Sequence, residues 1–246
     1  MTVPGLAELV REWQPCVVLT GAGVSTESGI PDFRSPTGIW ARHDPMEYAS
    51  IEAFLADPVK VWDFYAKRLH ALAEAEPNDG HRALAELEER GWVRAVITQN
   101  IDRLHRKAGS EDVIEVHGSI ATASCTSCAA SYPLEEVESM FDADGVATCR
   151  SCCGKVKPDV VLFGELLPVD AIARAERLCS AADLLLCIGS SLEVHPVAGL
   201  PGLTLARGGR IAIVTKSSTP YDSDATVRLD GDVADDLQAV LTAVDG

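Results

Sequence analysis

Residues 16–34 read CVVLTGAGVSTESGIPDFR, and here an apolar run of strand length is followed at once by Gly21 and Gly23. Glycines at this point are typical of dinucleotide-binding folds, because they let backbone N–H groups approach a pyrophosphate. The full fingerprint G-x-G-x-x-G is absent, since its third glycine would fall on Thr26, and a G-x-G alone also fits a tight turn. The polar loop that follows nevertheless favours a ligand-binding turn; its polar residues include Ser25, Ser28, Asp32 and Arg34.

The apolar run at 16–20 is the first of several with strand length. They are rich in β-branched residues and nearly continuous, which is typical of strands covered on both faces. Helical patterns lie between several of them, and one begins with Asp79 as its N-cap and ends at Gly91. This alternation predicts an α/β fold with a parallel, Rossmann-like sheet and helices on both sides. The further predicted strands are 94–98, 112–116, 159–163, 183–189, 210–215 and 226–229.

Two segments interrupt the alternation, and we interpret them as parts of a smaller inserted module. Residues 36–76 carry helical patterns without a strong strand, and 122–157 hold most of the cysteines and few core residues. The chain is thus predicted to be one catalytic unit, 1–246. Its Rossmann-like part is expected at about 1–35, 77–121 and 158–246.

The cysteines of the second insertion form two C-x-x-C pairs about twenty residues apart. This spacing indicates a structural Zn²⁺ held by four thiolates, because paired ligands on turns close a tetrahedron and leave no open position for catalysis. The expected ligands are Cys125, Cys128, Cys149 and Cys152, and Cys153 is a competitor for the last position.

The composition limits which partners and which cellular compartment we expect. The chain has 246 residues and a formal net charge of −16, which argues against a nucleic-acid partner because phosphate contacts need clustered Lys and Arg. No signal peptide and no apolar run of about 20 residues is visible, so we expect a cytoplasmic protein with no membrane partner. Thiols stay reduced in that compartment, and Cys16, Cys179 and Cys187 are expected to be small buried apolar residues.

Polar side chains follow two further apolar runs, in TQNIDRLH (98–105) and VHGS (116–119). An amide, a carboxylate and a histidine are therefore expected at neighbouring strand ends, where α/β proteins build their sites. A histidine titrates near neutral pH and is suited to take a proton from a hydroxyl.

Taken in order, the motifs resemble the sirtuin family, the NAD-dependent protein-lysine deacylases. The matching stretches are GAGVSTESGIPDFR, TQNIDRLH, VHGS, the two C-x-x-C pairs, KPDVVLFGE and GSSLEVHP. The resemblance implies a Rossmann-like domain, a small zinc module, and a cleft between them for NAD and an acyl-lysine protein substrate. In that reaction the acyl oxygen displaces nicotinamide, and a ribose hydroxyl must then lose a proton.

The resemblance also implies roles for individual residues. His117 is the expected general base, and Asn100 and Asp102 are the other expected catalytic residues, which orient the ribose and the carboxamide. The NAD-binding set is Gly21, Ala22, Gly23, Asp32, Phe33, Arg34, Gln99, Asn100, Asp102, Gly189, Ser190 and Ser191. The strand expected to pair with the substrate peptide contributes Val160, Val161, Phe163, Gly164 and Glu165. The remaining histidines are expected to be structural: His43, His70, His81, His105 and His195.

One helical pattern bears on the acyl group. Tyr65 and Arg68 are one turn apart, as in the sirtuin subgroup that removes succinyl and malonyl groups, and Ala49 stands where that subgroup has a small residue. Arg and Tyr together can bind a distal carboxylate, although a solvated Arg and a core Tyr fit the same pattern. Asp32 is more typical of the deacetylase branch, and Thr215 stands where many sirtuins have Asn.

Three other functions share some of these sequence features. Mono-ADP-ribosyl transfer from the same NAD site stays open, because both reactions begin with loss of nicotinamide. A non-catalytic module that binds acyl-lysine or NAD is disfavoured by the presence of Asn100, Asp102 and His117. A dehydrogenase is disfavoured by the incomplete glycine fingerprint. The sequence leaves the protein targets and the oligomeric state open.

Overall fold

Two sheets organise the protein in the computed structural model, which describes residues 2–244 except for the side chains of Lys67 and His70. The expectation for His70 therefore lies outside the described residues. The strands are β1 Cys16–Thr20, β2 Val93–Thr98, β3 Val113–Glu115, β4 Gly118–Cys125, β5 Ser131–Pro133, β6 Val156–Val160, β7 Leu184–Ile188, β8 Arg210–Val214 and β9 Val227–Leu229. The helices are α1 Val3–Glu12, α2 Pro45–Tyr48, α3 Ile51–Ala56, α4 Pro58–Glu74, α5 Asp79–Glu89, α6 Leu104–Ala108, α7 Leu134–Val137, α8 Val169–Ala181, α9 Leu200–Ala206 and α10 Val233–Val244.

The larger sheet has six parallel strands in the order β3-β2-β1-β7-β8-β9. Every residue of β1 and β7 is buried, as expected for central strands covered on both faces. Successive residues of β1 point to opposite faces: Val18 joins the core beneath α1, α5 and α10, and Leu19 the core beneath α8 and α9. The predicted parallel α/β fold is confirmed. The strand order reverses between β1 and β7, and that is where such sheets bind ligands.

The smaller sheet is antiparallel, in the order β5-β4-β6. It shares a hydrophobic core with helices α3 and α4, in which Phe54 and Trp62 are buried. The Trp62 indole N–H donates to the carbonyl of Val156 at 3.0 Å and joins α4 to β6. The helical and cysteine-rich insertions thus pack against each other, although they are far apart in the chain.

The expectation for residues 159–163 is wrong in its placement. They do not form a strand of the parallel sheet; the strand ends at Val160 and pairs antiparallel with β4. Its burial alternates, because only one face of the small sheet is covered. The apolar residues beyond it leave the sheet, with Val161 N–H bonded to His117 O and Phe163 N–H to Ala49 O. Continuous apolar character here marks a buried connection, not a central strand.

The predicted cap of α5 is off by one residue. Asn78 is the N-cap, and its Oδ1 accepts hydrogen bonds from the N–H groups of Gly80 and His81. Asp79 is the first helical residue.

None of the helices within residues 2–244 has both the length and the apolar character needed to cross a bilayer.

Gly118 lies between the two sheets in the chain and brings the start of β4 into close contact with β6. It follows His117, begins β4 and has a φ of +77°, a conformation that disfavours side chains. A Cβ atom there would lie 2.0 Å from the carbonyl oxygen of Asp159 on β6. Both the backbone angle and the available space therefore require glycine.

We expect Gly118→Ala to lower the free energy of unfolding by about 3 kcal/mol or more, because a strained φ and a backbone clash add. Gly91→Ala is the matched control, since Gly91 has a φ of +81° with nothing within 4 Å of its Cβ position. The control should lose only about 1–2 kcal/mol. Urea unfolding of the wild type and both variants measures the two losses in free energy of unfolding. Equal losses would show that the strands at Gly118 move apart freely.

Candidate active site

The turns after β1 and β7 pack against each other at the point where the strand order reverses. Gly21 N–H donates to Ile188 O at 3.0 Å, and Gly23 N–H donates to Gly189 O at 2.8 Å. A Cβ on Gly23 would lie 2.8 Å from Gly189 Cα, and one on Gly189 would lie 2.4 Å from Val24 N. The glycines therefore allow two turns to touch. The Gly23 N–H already has a partner, so it is not a free donor for a phosphate.

The loop after the first turn is shaped by Asp32. Its Oδ1 accepts hydrogen bonds from Arg34 N at 2.9 Å and Ser35 N at 2.7 Å. Phe33 is exposed, with its ring 5.4 Å from that of Trp40. The Arg34 guanidinium lies 3.4 Å from Glu193, which follows β7. Asp32 thus orders its own loop, and Arg34 connects that loop to the second turn.

The predicted amide and carboxylate lie together behind the first turn. Asn100 Nδ2 donates to Ser25 Oγ at 3.0 Å and to Gly21 O at 3.2 Å, and Ser25 Oγ donates to Asp102 Oδ2 at 2.7 Å. Burial raises the pKa of Asp102, and hydrogen bonds from Leu104 N–H and Ser25 oppose that shift. Asn100 and Asp102 are therefore held in fixed positions through Ser25.

Sequence reasoning missed the buried polar residues behind this group. His81 Nε2 lies 3.3 Å from Ser25 Oγ, and the rings of His81 and His105 are 4.9 Å apart. His105 Nε2 lies 2.9 Å from Thr20 Oγ1, which donates to Thr98 Oγ1 at 2.8 Å. Burial lowers the pKa of His81 to about 4, so it is neutral near pH 7. Both histidines are buried, and the structural role expected for them stays a prediction. His81 and Ser25 are 56 positions apart in the chain, and His105 and Thr20 are 85 apart, so no local pattern reveals these contacts.

His117 lies at the next strand end. Its Nδ1 is 3.1 Å from the carbonyl oxygen of Gln99. A carbonyl oxygen only accepts, so we assign the proton to Nδ1, which leaves the lone pair on Nε2. Burial lowers the pKa of His117, and the bond to Gln99 O partly opposes this shift. The ring is thus neutral near pH 7 and suited to act as a base.

Gln99 connects the histidine to the second glycine turn. Its backbone carbonyl holds His117, and its side-chain Nε2 donates to Ser190 Oγ at 2.8 Å and to Thr20 O at 3.3 Å. Ser190 Oγ in turn accepts from Leu192 N–H at 3.2 Å. Gln99, His117 and Ser190 therefore form one connected group, and Ser191 adjoins it in the chain.

The predicted acyl-binding residues lie on the small module. Ala49 and Tyr65 are buried, and Phe163 N–H donates to Ala49 O at 2.8 Å. Arg68 folds back on its own helix: Nη1 donates to Phe64 O at 2.7 Å and the guanidinium lies 3.5 Å above the Phe64 ring. Burial lowers the pKa of Arg68 and raises that of Tyr65. Among the described residues Arg68 has no carboxylate partner.

The four predicted zinc ligands come together. Their sulfur atoms all lie within 4.8 Å of one another, with Cys125 and Cys152 3.5 Å apart and Cys128 and Cys149 3.7 Å apart. A tetrahedral Zn²⁺ with Zn–S bonds of about 2.3 Å needs sulfur atoms about 3.8 Å apart, so this group fits the ion. Cys153 is exposed and lies outside the group. The expectation of buried thiols is confirmed for Cys16, Cys179 and Cys187.

Comparison with known proteins identifies the family. The Sir2 family model matches residues 21–196, from the first glycine turn to the segment after β7. The chain belongs to the Sir2 family. This confirms the sirtuin resemblance on more than half of the chain.

Individual Sir2 relatives agree over nearly the full length. An NAD-dependent protein deacetylase of Sulfolobus acidocaldarius is 47% identical over 220 residues, 89% of this chain and 86% of the relative. One of Thermotoga maritima is 41% identical and covers 98% of both chains. A solved Sir2 structure with a deacetylated p53 peptide and 3′-O-acetyl ADP-ribose superposes with a TM-score of 0.93, at 40% identity and 98% coverage of both chains. The Sir2 fold is therefore shared as a whole.

We expect the wild type to bind one zinc ion per chain and Cys152→Ser to lose it, because three thiolates no longer complete the tetrahedron. The melting temperature should fall as well, since binding of a structural zinc contributes directly to folding. Cys153→Ser is the matched control, an exposed neighbour outside the cluster, and it should keep one zinc per chain. Elemental analysis and thermal unfolding provide the measurements. Zinc loss in the control alone would assign the fourth ligand to Cys153.

Proposed function

We propose that this chain removes acyl groups from lysine side chains of proteins with NAD as cosubstrate, yielding nicotinamide and O-acyl-ADP-ribose. The observation that carries the proposal is His117, whose Nε2 is left free by the Nδ1–Gln99 contact. It lies at the strand ends that also hold Asn100 and Asp102. The Sir2 relatives described above are named for this activity.

Asn100 and Asp102 orient the nicotinamide half of NAD. When bound, NAD supplies a sugar carbon with a leaving group that the acyl oxygen replaces. Both side chains are buried and fixed by Ser25, so little reorganisation is needed when the substrates meet. Gly21, Ala22, Gly23, Asp32, Phe33 and Arg34 form the first NAD-binding turn in this proposal, and Gly189, Ser190 and Ser191 form the second.

His117 takes the proton from a ribose hydroxyl at Nε2. The positive charge that develops on the ring is stabilised through Nδ1–H by the carbonyl of Gln99. The same carbonyl prevents the ring from turning, so Nε2 keeps its direction. Gln99 therefore serves the base through its backbone and the second glycine turn through its amide.

The substrate segment, defined as residues 160–165, binds the acyl-lysine peptide in extended form. Among the described residues, the Val161 carbonyl and the Gly164 N–H make no hydrogen bond, whereas the N–H groups of Val161 and Phe163 have partners inside the chain. An unpaired acceptor and an unpaired donor on one short segment favour pairing with a peptide strand.

The compartment that we propose is the cytoplasm. The support is the free state of all eight cysteines, four of which gather as thiols suited to a metal.

The purified protein with NAD and a panel of acyl-lysine peptides, analysed by mass, tests the function. Equal amounts of nicotinamide, deacylated peptide and O-acyl-ADP-ribose are expected. A peptide or protein that gains the mass of ADP-ribose would instead indicate mono-ADP-ribosyl transfer. Absence of nicotinamide release with every peptide would contradict both activities.

We expect His117→Ala to lose deacylation by about 100- to 10,000-fold, because a general base contributes that much, while NAD binding is retained. In the wild type the base acts when neutral and its pKa is lowered, so the midpoint of the acid-side fall in kcat/KM should lie below the ordinary histidine pKa of about 6.5. The value of kcat/KM should decline only as the pH falls through the lowered pKa. A variant that keeps near wild-type turnover would refute the assignment of the base.

The finer proposal concerns acidic acyl groups. Arg68 is half-buried, lacks a carboxylate partner among the described residues and lies one turn from Tyr65. It uses one N–H on its own helix, so most of its donors remain for a succinyl or malonyl carboxylate. Ala49 is buried in the same hydrophobic core as Tyr65.

We expect Arg68→Met to reduce kcat/KM for a succinyl-lysine peptide by about tenfold, since a hydrogen bond to a charged group contributes about 1.5–3 kcal/mol and this site is only half-buried. Turnover of the acetyl-lysine peptide should change little. Lys60→Met on the same helix is the control, because Lys60 pairs with Glu47. Equal losses on both peptides would assign Arg68 to the helix and not to the acyl group.

A further inference from the structure

The substrate segment is fixed to the rest of the protein at two points. Val161 N–H donates to the carbonyl of His117 at 2.9 Å. Phe163 N–H donates to Ala49 O at 2.8 Å, and Phe163 O accepts from Ile51 N–H at 2.9 Å. The segment therefore spans the distance between the general base and the acyl-binding residues, and its shape sets how the two are presented to one substrate.

Residues 162–165 of the segment make a tight turn. Glu165 N–H donates to Leu162 O at 3.0 Å, and Gly164 has a φ of +89°. A positive φ at the third of four residues is typical of a type II turn. The turn exposes the Gly164 N–H, the donor that we assign to peptide pairing.

A charged side chain closes this turn from inside. Glu165 Oε2 accepts a hydrogen bond from Leu162 N–H at 2.8 Å and lies 3.1 Å from Lys157 Nζ. Lys157 Nζ also donates to Pro158 O at 2.8 Å and to Val160 O at 2.7 Å. The three protons of the ammonium group are thereby all used, which ties the end of β6 to the turn.

This ion pair differs in burial from pairs at the surface. The side chains of Lys157 and Glu165 are 12% and 23% exposed, compared with 38% and 58% for Arg34 and Glu193. Removing one partner of a largely buried pair leaves an uncompensated charge, so the pair has more effect on local geometry than an exposed one. The charge of Glu165 also adds to the burial that raises the pKa of Tyr65.

We propose that Lys157 and Glu165 are positioning residues that hold the substrate segment in the shape required for peptide binding. Neither contacts the reacting atoms. Their pairing fixes the Leu162–Glu165 turn, and with it the Gly164 N–H and the Val161 carbonyl. The inference rests on the proposed function, because it assumes that this segment binds the acyl-lysine peptide.

The test uses Lys157→Met and Glu165→Gln in the full chain, with an acetyl-lysine peptide and saturating NAD. We expect the KM for the peptide to rise about tenfold in each variant, the scale of one lost hydrogen bond to a charged group. The kcat and the KM for NAD should stay within about twofold, because the base and the NAD turns are untouched. Lys157→Arg should restore most of the peptide affinity, since it keeps the charge and donors.

Lys155→Met is the matched control, since Lys155 is on the same stretch of chain and donates to Leu55 O instead. Its peptide KM should equal that of the wild type. Zinc content and melting temperature show whether each variant folds. If Lys157→Met does not fold, Glu165→Gln carries the test, because glutamine keeps an acceptor for the Leu162 N–H.

Two outcomes separate this inference from the proposed function. A wild type that turns over the peptide, with an unchanged peptide KM in Lys157→Met and Glu165→Gln, overturns the positioning role alone. A wild type that neither binds a fluorescent acetyl-lysine peptide nor releases nicotinamide overturns both. A loss of kcat without a change in peptide KM also contradicts the positioning role.

Discussion

The close approach of two glycine turns is the constraint on which the rest of this site depends. The turns after β1 and β7 are joined by the Gly23–Gly189 hydrogen bond, with no room for a Cβ atom on either residue. A protein interior that is packed this closely does not deform gradually. The two halves of the parallel sheet therefore meet in one arrangement. That arrangement sets the position of Gln99 against Ser190 and, through Gln99, of His117.

A second constraint is that polar side chains are buried beside the first glycine turn without a neighbouring group of opposite charge. Asp102 is buried, and its hydrogen-bond partners include Ser25 and the N–H of Leu104, with no cation among its described hydrogen bonds. A buried polar group without partners destabilises a fold, so networks of this kind tolerate few alternative arrangements. His81 and His105, which lie behind Ser25, have lowered pKa values, so they are neutral and add no charge to this buried region. The hydrogen bonds of Ser25 with Asn100 and Asp102 therefore hold these two side chains in place.

The sequence predicted what depends on short-range patterns. The parallel sheet followed from runs such as 183–189, and the zinc ligands followed from spacing that tetrahedral coordination demands. It failed where long-range contacts decide: at 159–163 an apolar run is buried by the helical insertion and not by the large sheet. The contacts of His81 with Ser25 and of Arg68 with Phe64 likewise depend on packing, for which no periodicity exists. The residues predicted for catalysis, Asn100, Asp102 and His117, follow strand ends of the large sheet because parallel strands share one carboxyl edge.

Strand β4 has one further consequence for the protein. It begins directly after His117 and ends at Cys125, so His117 and this cysteine of the four-cysteine group are eight positions apart, about 25 Å in extended form. The strand is held at one end by the sulfur cluster and at the other by the crowded contact of Gly118 with β6. An oxidant that reaches the exposed Cys128 or Cys152 therefore acts at the far end of the strand that begins beside His117.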